Sequence, residues 1–380
     1  MFAYPSLDDE DTAVLASVSQ LRDALADRLR PARRWAGSLR RTSFARNIQG
    51  SNSIEGIDVR LDDAVAAIDD EPPLSADEQT FAEIRGYRQA LEFALAIARD
   101  PHGRVDESAL RAMHFMIQSH DLTKSPGQYR PADIHVVDGD GTTVYTGPDA
   151  ADVPRLMSEL VDHLDELRTV DPMVRGAMAH LDLVMVHPFR DGNGRMARAL
   201  QTLVLAQSGV PYPEFVSIEE WLGANTQDYY RALAHTGHGR WNPAADAHLW
   251  VKFTLRAHHM QAQTVARRVE RMDLLYATLA GELATLGLPE RTLDALYTAS
   301  IGFRLRRPTY VSSTGVDDRT ATRDLSALTA ARLLRAVGET KGRHYVAGTR
   351  LEEIVTTMGA RTPLTDPYPW LPSRLAQPVG

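Results

Sequence analysis

HPFRDGNGRMAR, residues 187 to 198, joins the end of one predicted helix to the start of the next. The first helix must end near His187, because a residue that precedes proline avoids the α-helical conformation. The second helix opens with Arg195 and Arg198, although the positive end of a helix dipole favours acids in that place. Two cations at this end predict an anion that the segment itself does not contain.

The loop between these helices has the composition of an anion site. The glycines of RDGNG let backbone N–H groups converge, and such groups bind phosphate when a helix N-terminus lies beside them. Arg195 and Arg198, three residues apart, share one face of the helix. The predicted ligand is therefore a polyphosphate. A plain helical turn with surface arginines and a structural histidine would account for each residue singly, but not for the whole set.

Two more residues of the segment suit metal and proton chemistry. Asp191 offers a hard oxygen ligand, which a Mg²⁺ ion that bridges phosphates requires. His187 has an ordinary pKa close to neutrality and is suited to take a proton from a hydroxyl group. Phe189 lies between them and is predicted to anchor the loop in the core.

The segment resembles the signature of the Fic domain family, HPFx[DE]GNGRxxR, at every defining position. The resemblance implies a helical bundle with a β-hairpin flap, and transfer of AMP from ATP to a protein hydroxyl with release of pyrophosphate. It implies that His187 is the general base and Asp191 the Mg²⁺ ligand. The ATP-binding residues it implies are Gly192, Asn193, Gly194, Arg195, Met196, Ala197 and Arg198, with the two arginines on the β- and γ-phosphates.

The similarity extends over residues 80 to 260. Residues 130 to 146 carry β-branched side chains on both sides of an Asp-Gly turn, which predicts a hairpin, and this hairpin resembles the flap that aligns a target segment by strand pairing. Tyr230, in the stretch DYYRAL, matches a tyrosine that lies against adenosine in relatives. Many relatives have Asn seven residues later, where this chain has Gly237. Gly194 favours AMP transfer, since related kinase-like toxins carry Lys there.

The stretch SNSIEG, residues 51 to 56, presents the opposite electrostatic problem. Gly56 predicts a helix end, so Glu55 lies in a last turn, where the dipole disfavours an acid. The stretch is similar to the [ST]xxxE[GN] inhibitory motif that accompanies Fic domains, with Ser51 and Glu55 in the defining places. The resemblance implies that Glu55 pairs with Arg198 and takes the site that the γ-phosphate needs. Inhibition within one chain benefits from an effective concentration of order millimolar.

Composition and helical spacing predict a soluble, mainly α protein of 380 residues with 43% hydrophobic residues and a net charge of −8. We divide it into an N-terminal helical region with the inhibitory motif (1–75), a Fic core (76–265), a winged helix-turn-helix (285–350) and an irregular tail (351–380). The absence of cysteine excludes disulfides, thiolate zinc sites and thiol nucleophiles. An acidic N-terminus and the lack of a long apolar run predict a cytoplasmic protein without a membrane segment.

Residues 290 to 350 form a basic module, with a net charge of +5 against −13 for the rest of the chain. Their pattern of helices and strands has the order of a winged helix-turn-helix. In the helix from Arg319 to Leu328, Arg319, Thr320 and Arg323 are predicted to be exposed, and residues 338 to 344 to form the wing. DNA binding is one hypothesis for this module, and dimerisation or peptide docking is the other.

The leading prediction is an autoinhibited protein adenylyltransferase that uses ATP and Mg²⁺ and modifies a Ser, Thr or Tyr hydroxyl of a target protein or of itself. One alternative is removal of AMP by the same site, with the inhibitory glutamate orienting the hydrolytic water. Another is a DNA-binding regulator with a vestigial core, against which the intact His187, Asp191, Arg195 and Arg198 argue. The identity of the target and the formation of homo-oligomers stay open.

Overall fold

The computed structural model describes residues 1 to 379 except 30–34, 138, 210–214, 216, 340–341 and 360–362. The first half of the chain holds helices α1 (Asp9–Leu29), α2 (Ala36–Ile54), α3 (Leu61–Ile68), α4 (Glu78–Arg99) and α5 (Glu107–Gln118), and then strands β1 (His135–Val137) and β2 (Thr143–Thr146). The central helices follow as α6 (Val153–Glu166), α7 (Pro172–Val186), α8 (Asn193–Gln207), α9 (Glu219–Ala224), α10 (Thr226–Gly237) and α11 (His248–Leu286).

The C-terminal part holds α12 (Leu293–Ser300), α13 (Arg307–Thr314), α14 (Asp318–Ala330), strands β3 (Leu334–Val337) and β4 (His344–Ala347), α15 (Thr349–Thr357) and α16 (Leu371–Leu375). Each strand pair is an antiparallel hairpin. The predicted mainly α fold with a β-hairpin is confirmed. Within the described residues, no helix has the length and apolarity that a membrane crossing needs.

Several helices begin with an aspartate whose side chain accepts from a free backbone N–H group. Asp77 accepts from the N–H of Thr80 at the start of α4 (2.7 Å), and Asp106 accepts from Ala109 at the start of α5 (2.8 Å). Asp171 caps α7, with Pro172 in its first turn. These are the N-terminal signals that helix starts favour, and they align the helices that surround the motif.

Helices α7 and α8 form the antiparallel centre of the bundle and are buried on nearly all sides. Their polar side chains are therefore paired: His180 contacts Gln201 Oε1 at 2.8 Å and the Tyr229 hydroxyl at 3.0 Å. One hydrophobic cluster joins α7 and α8 to α4, α5 and α6, and a second joins α7 to α10 and α11. The loop between α7 and α8 is thus fixed by packing on both sides.

The basic module packs against the C-terminal half of α11 through a third hydrophobic cluster. Its helices and strands follow in the predicted order, and α14 buries Ala321, Leu325 and Leu328. Arg319 and Arg323 are exposed as predicted, whereas Thr320 is half-buried. Thr340 and Lys341 of the predicted wing lie outside the described residues. The assignment as a winged helix that binds DNA, and the domain bounds, stay predictions.

The prediction of an irregular tail from residue 351 is wrong for two segments, since α15 runs to Thr357 and α16 spans Leu371–Leu375. Tyr368, Leu371 and Leu375 are buried against the second cluster. Arg256 on α11 holds the tail through a bidentate pair with Asp366, with Nη2 at 2.7 Å from Oδ2. Proline-rich composition predicted the loop segments but not these long-range contacts.

Candidate active site

The motif lies where α7 ends and α8 begins. α7 ends at Val186, and His187 adopts a left-handed conformation with a φ of 51° before Pro188. Gly192 has a φ of 76°, a backbone conformation that favours glycine. The side-chain amide of Gln118 on α5 lies beside it, 2.6 Å from the position of an added Cβ.

Three side chains hold the loop. The buried Phe189 stacks on His114 of α5, with ring centroids 3.7 Å apart. Its backbone N–H donates to Asn193 Oδ1 and its carbonyl accepts from Asn193 Nδ2, both at 2.9 Å. Asn193 therefore bridges the two ends of the loop, which gives it a structural role beside the predicted place of its backbone at the phosphates.

His114 fixes the loop from the other side, and the sequence analysis did not identify it. Its Nε2 lies 2.9 Å from the Asp191 carbonyl, and its Nδ1 accepts from the N–H of Gly127 at 2.9 Å. Burial lowers the pKa of His114 to about 4. The ring is therefore neutral at pH 7, and with Nδ1 accepting, Nε2–H donates to the loop.

His187 is held in an orientation that suits a base. Its Nδ1 lies 3.1 Å from the Val184 carbonyl, which can only accept, so Nδ1 carries the proton and Nε2 is left to take one. Burial lowers the pKa of His187 below 6.5, the Val184 hydrogen bond opposes that change, and the charge of Arg130 adds to it. The neutral form is therefore the main form at pH 7.

Arg130 is a buried residue that the sequence analysis used only as the start of the hairpin. Its Nε donates to the His187 carbonyl at 2.8 Å and its Nη2 to the Pro148 carbonyl at 2.5 Å. One guanidinium thus joins the base to the foot of the flap. Strands β1 and β2 project beyond it with Val137 and Val144 exposed, and Asp138 of the predicted turn lies outside the described residues.

The two motif arginines have partners from different helices. Arg198 is 1% exposed, and its Nη2 lies 2.6 Å from Oε1 of Glu55, while its Nε donates to the Ser51 hydroxyl at 2.7 Å. Arg195 pairs with Glu83 of α4 at 3.1 Å. Nothing in the sequence distinguishes Glu83 from the other acidic residues on the polar face of this amphipathic helix.

Glu55 is directed at α8 by the way α2 ends. Gly56 donates to the Ser53 carbonyl and Ile57 to the Asn52 carbonyl, which is the Schellman arrangement with Gly56 at a φ of 79°. The carboxylate then lies against Gly194, where an added Cβ would be 2.3 Å from Glu55 Oε1. A carboxylate therefore occupies the N-terminal end of α8, the place where an anion is expected.

Arg198 retains unused donor capacity. Its Nη1 is buried and has no hydrogen-bond partner among the described residues.

Asp191 Oδ2 lies 3.2 Å from Lys124 Nζ, and its Oδ1 accepts from the N–H of Gly192 at 2.6 Å. A cation thus already faces the carboxylate that we expect to bind Mg²⁺.

The remaining predicted ATP-binding residues contribute differently. Met196 and Ala197 are fully buried, and the N–H of Met196 donates within the helix to the Gly192 carbonyl. Tyr230 is half exposed and its hydroxyl donates to the Ile54 carbonyl, at the end of α2. Gly237 packs against Met185, whose Sδ would lie 3.1 Å from an added Cβ. Contacts of these residues with nucleotide stay predictions.

The placement of α2 depends on a close approach of backbones. A Cβ added to Gly50 would lie 2.3 Å from the Glu219 carbonyl oxygen, and one added to Gly223 would lie 2.8 Å from the Gly50 Cα. Glu219 and Gly223 belong to α9, so α2 and α9 can pack at this distance only if neither position carries a side chain. This contact holds Glu55 over α8.

Parts of this chain are similar to known proteins. Residues 104 to 205 match the model of the Fic/DOC family. A protein adenylyltransferase, fic-1, from Caenorhabditis elegans is 29% identical over 229 residues, which are 59% of this chain and 42% of that protein. A protein adenylyltransferase Fic from Nematostella vectensis is 26% identical over 63% of this chain and 54% of its own length. The chain thus spans about half the length of the curated relatives it matches.

Solved structures share the fold. A Fic family protein from Desulfovibrio desulfuricans has a TM-score of 0.59 and 22% identity, over 92% of this chain and 99% of that one. The structure of Fic-1 from Caenorhabditis elegans, residues 134 to 508, has a TM-score of 0.53 and 25% identity, over 70% and 73%. The first likeness covers α11 and the C-terminal module as well as the bundle.

Gly50→Ala is expected to displace α2, because the new methyl group would meet the backbone of α9. Amide hydrogen exchange of α2 should become at least about tenfold faster, which corresponds to a decrease of roughly 1.4 kcal/mol or more in the free energy of opening α2. Gly37→Ala is the control, because it lies on the same helix with nothing within 4 Å of its added Cβ. Equal exchange in the two variants would contradict the role of the close contact.

Proposed function

We propose that this chain, whose residues 104 to 205 match the Fic/DOC family model, is a protein adenylyltransferase held inactive by its own helix α2. The observation that carries the proposal is the ion pair of Glu55 with the buried Arg198, made directly over Gly194. This ion pair supports both parts of the proposal. A carboxylate bound at the N-terminal end of α8 indicates that this end binds anions, and it occupies the place that a phosphate would take.

In the proposed reaction, the hydroxyl oxygen of the target attacks the α-phosphorus of ATP. The bond from that phosphorus to the bridging oxygen of the β-phosphate breaks, and pyrophosphate leaves. The hydroxyl proton passes to Nε2 of His187, which the Val184 hydrogen bond leaves available. Arg195 and Arg198 stabilise the β- and γ-phosphates at the N-terminal end of α8, together with the backbone of residues 192 to 194.

The residues at the loop fit a divalent cation. Asp191 supplies a carboxylate that is 41% exposed, and an oxygen ligand of this kind suits Mg²⁺ bound also to phosphates. When bound, Mg²⁺ would neutralise charge on the phosphates. Lys124 must then leave Asp191, and its long flexible side chain allows that at little cost. The pair is half exposed, so it stabilises the resting arrangement only weakly.

Inhibition follows from competition for one guanidinium. Glu55 and the γ-phosphate would use the same side of Arg198, and the carboxylate is attached to the same chain at high effective concentration. ATP can still bind through its other phosphates, but without a γ-phosphate on Arg198 its α-phosphorus is not aligned for attack. Release of α2 would restore the alignment.

The flap is the proposed place of the target. The exposed Val137 and Val144 lie on a two-stranded hairpin. Thr146 at the end of β2 forms a backbone bridge with Arg240, whereas the outer edge of β1 has no pairing partner among the described residues. A target segment can pair with such an edge and bring its hydroxyl toward His187. Removal of AMP by the same site is the second outcome that the assays below distinguish.

His187→Ala should lower the rate of AMP transfer by about 10²–10⁴-fold while ATP affinity changes little, because other residues contact the phosphates. In the parent, the rate should fall as pH decreases through the pKa of His187, and since burial lowers this pKa, the midpoint should lie below 6.5. Labelling with α-labelled ATP and Mg²⁺ gives both results. Transfer by a folded His187→Ala variant at more than about a tenth of the parent rate would overturn the assignment.

Glu55→Gly should raise AMP transfer or self-labelling about tenfold or more, because a charge-assisted hydrogen bond contributes roughly 1.5–3 kcal/mol. Arg198→Ala added to it should abolish the gain. Asp58→Gly is the matched control, since it removes an exposed acid just beyond α2. If Glu55→Gly leaves labelling unchanged at saturating ATP, inhibition by Glu55 is refuted. If this variant removes label from a pre-modified target more slowly than the parent does, removal of AMP by the same site is favoured.

A further inference from the structure

A second cationic cavity lies away from the motif, between α2, α11 and the C-terminal module. It has a volume of about 480 Å³, which lies within the range of small-molecule sites. Thr42 and Arg46 of α2 form one wall, Arg267, Arg268 and Arg271 of α11 another, and residues of α12 and α15 close it. The cavity thus lies where α2, α11 and the C-terminal module meet.

Four arginines line this cavity, and no described lining residue is acidic. Arg268 is neutralised by a bidentate pair with Glu220, with Nη2 at 2.7 Å from Oε1 and Nη1 at 3.1 Å from Oε2. Arg46 lies 3.7 Å from the same carboxylate. One acid therefore serves two guanidiniums, and like charges so close together repel each other.

The other two arginines have no carboxylate partner in the described part of the chain. Arg271 donates only to the backbone carbonyls of Val355 (3.2 Å) and Gly359 (3.3 Å). Arg267 is half-buried, and no hydrogen bond or ion pair of its side chain is found among the described residues. Guanidiniums of this kind attract an anion, and no described residue offers them a carboxylate.

We propose that this cavity binds a small organic phosphate, a ligand that carries a phosphomonoester on an apolar body. A phosphomonoester has close to two negative charges at pH 7 and three acceptor oxygens, which match two guanidiniums. Met272, Leu275 and Ile301 give the cavity an apolar side, which suits the body of the ligand. The hydroxyl group of Ser300 lines the same cavity, and its proton is donated to the Tyr297 carbonyl at 2.6 Å.

The proposed site is separate from the motif. Arg46 precedes Glu55 by nine residues on α2, a distance of about 13 Å along a helix at 1.5 Å per residue. A ligand that contacts Arg46 and the arginines of α11 together would tie α2 to α11. Such binding stabilises α2 in its present place. Its effect on AMP transfer rests on the proposed function, but the binding itself does not.

Phenyl phosphate is a suitable probe, and the full chain is titrated with it calorimetrically without nucleotide or metal. The parent should bind it with a Kd below about 1 mM. Arg267→Gln/Arg271→Gln should weaken binding at least about tenfold, as should Ser300→Phe, which fills the cavity without changing its charge. Arg155→Gln/Arg168→Gln is the control, since it removes the same charge from exposed arginines of α6 and its following turn and should leave Kd unchanged.

Amide hydrogen exchange locates the bound probe. Exchange should slow in α2 and in residues 264 to 275 of α11. The proposal is overturned if phenyl phosphate does not bind the parent, if the Arg267→Gln/Arg271→Gln variant binds it equally well, or if protection is confined to α7 and α8. Because no measurement here depends on AMP transfer, failure of the proposed enzymatic function leaves this test intact.

Discussion

The guanidinium of Arg198 is the group on which the arrangement of the site depends. It lies on a helix buried almost all round and is itself 1% exposed, so it cannot be solvated and must be paired. Three contacts come from one segment: the Ser51 hydroxyl, the Ser51 carbonyl and the Glu55 carboxylate. In the proposed function, this cation takes its anion either from α2 or from a nucleotide, which provides the basis for a switch.

The packing of the motif loop and of α2 positions the groups around Arg198. The stacked pair of Phe189 and His114 and the bridge made by Asn193 hold the loop rigidly, so the N-terminal end of α8 does not adjust to its occupant. Helix α2 is held by a backbone contact at Gly50 and by a cap at Gly56, and much of its surface is buried. Both partners of the ion pair between Glu55 and Arg198 therefore lie on packed elements.

The sequence predicts the parts of this system that are local. The turn at His187, the start of α8 and the end of α2 follow from proline, glycine and charge patterns within a few residues. The burial of one face of α14 followed from its periodicity in the same way. Local signals do not fix every boundary: Asn225 separates α9 from α10, and α11 runs without a break to Leu286.

The partners of the site residues could not be predicted, because they depend on how distant helices pack. Glu83, His114, Lys124 and Arg130 each lie at least 57 residues from the motif residue they contact. None stands in a pattern that separates it from other polar side chains on an amphipathic helix or in a loop. The tail is a similar case, since its Asp366 pairs with Arg256 across 110 residues.

The most direct measurement is a pair of crystal structures, of the parent and of Glu55→Gly, each with Mg²⁺ and a non-hydrolysable ATP analogue. Our account predicts that in the parent Glu55 stays within hydrogen-bond distance of Arg198 and the γ-phosphate lies elsewhere, whereas in the variant the γ-phosphate contacts Arg198. A parent structure in which Glu55 and the γ-phosphate both bind Arg198, with the α-phosphate placed as in the variant, would contradict it.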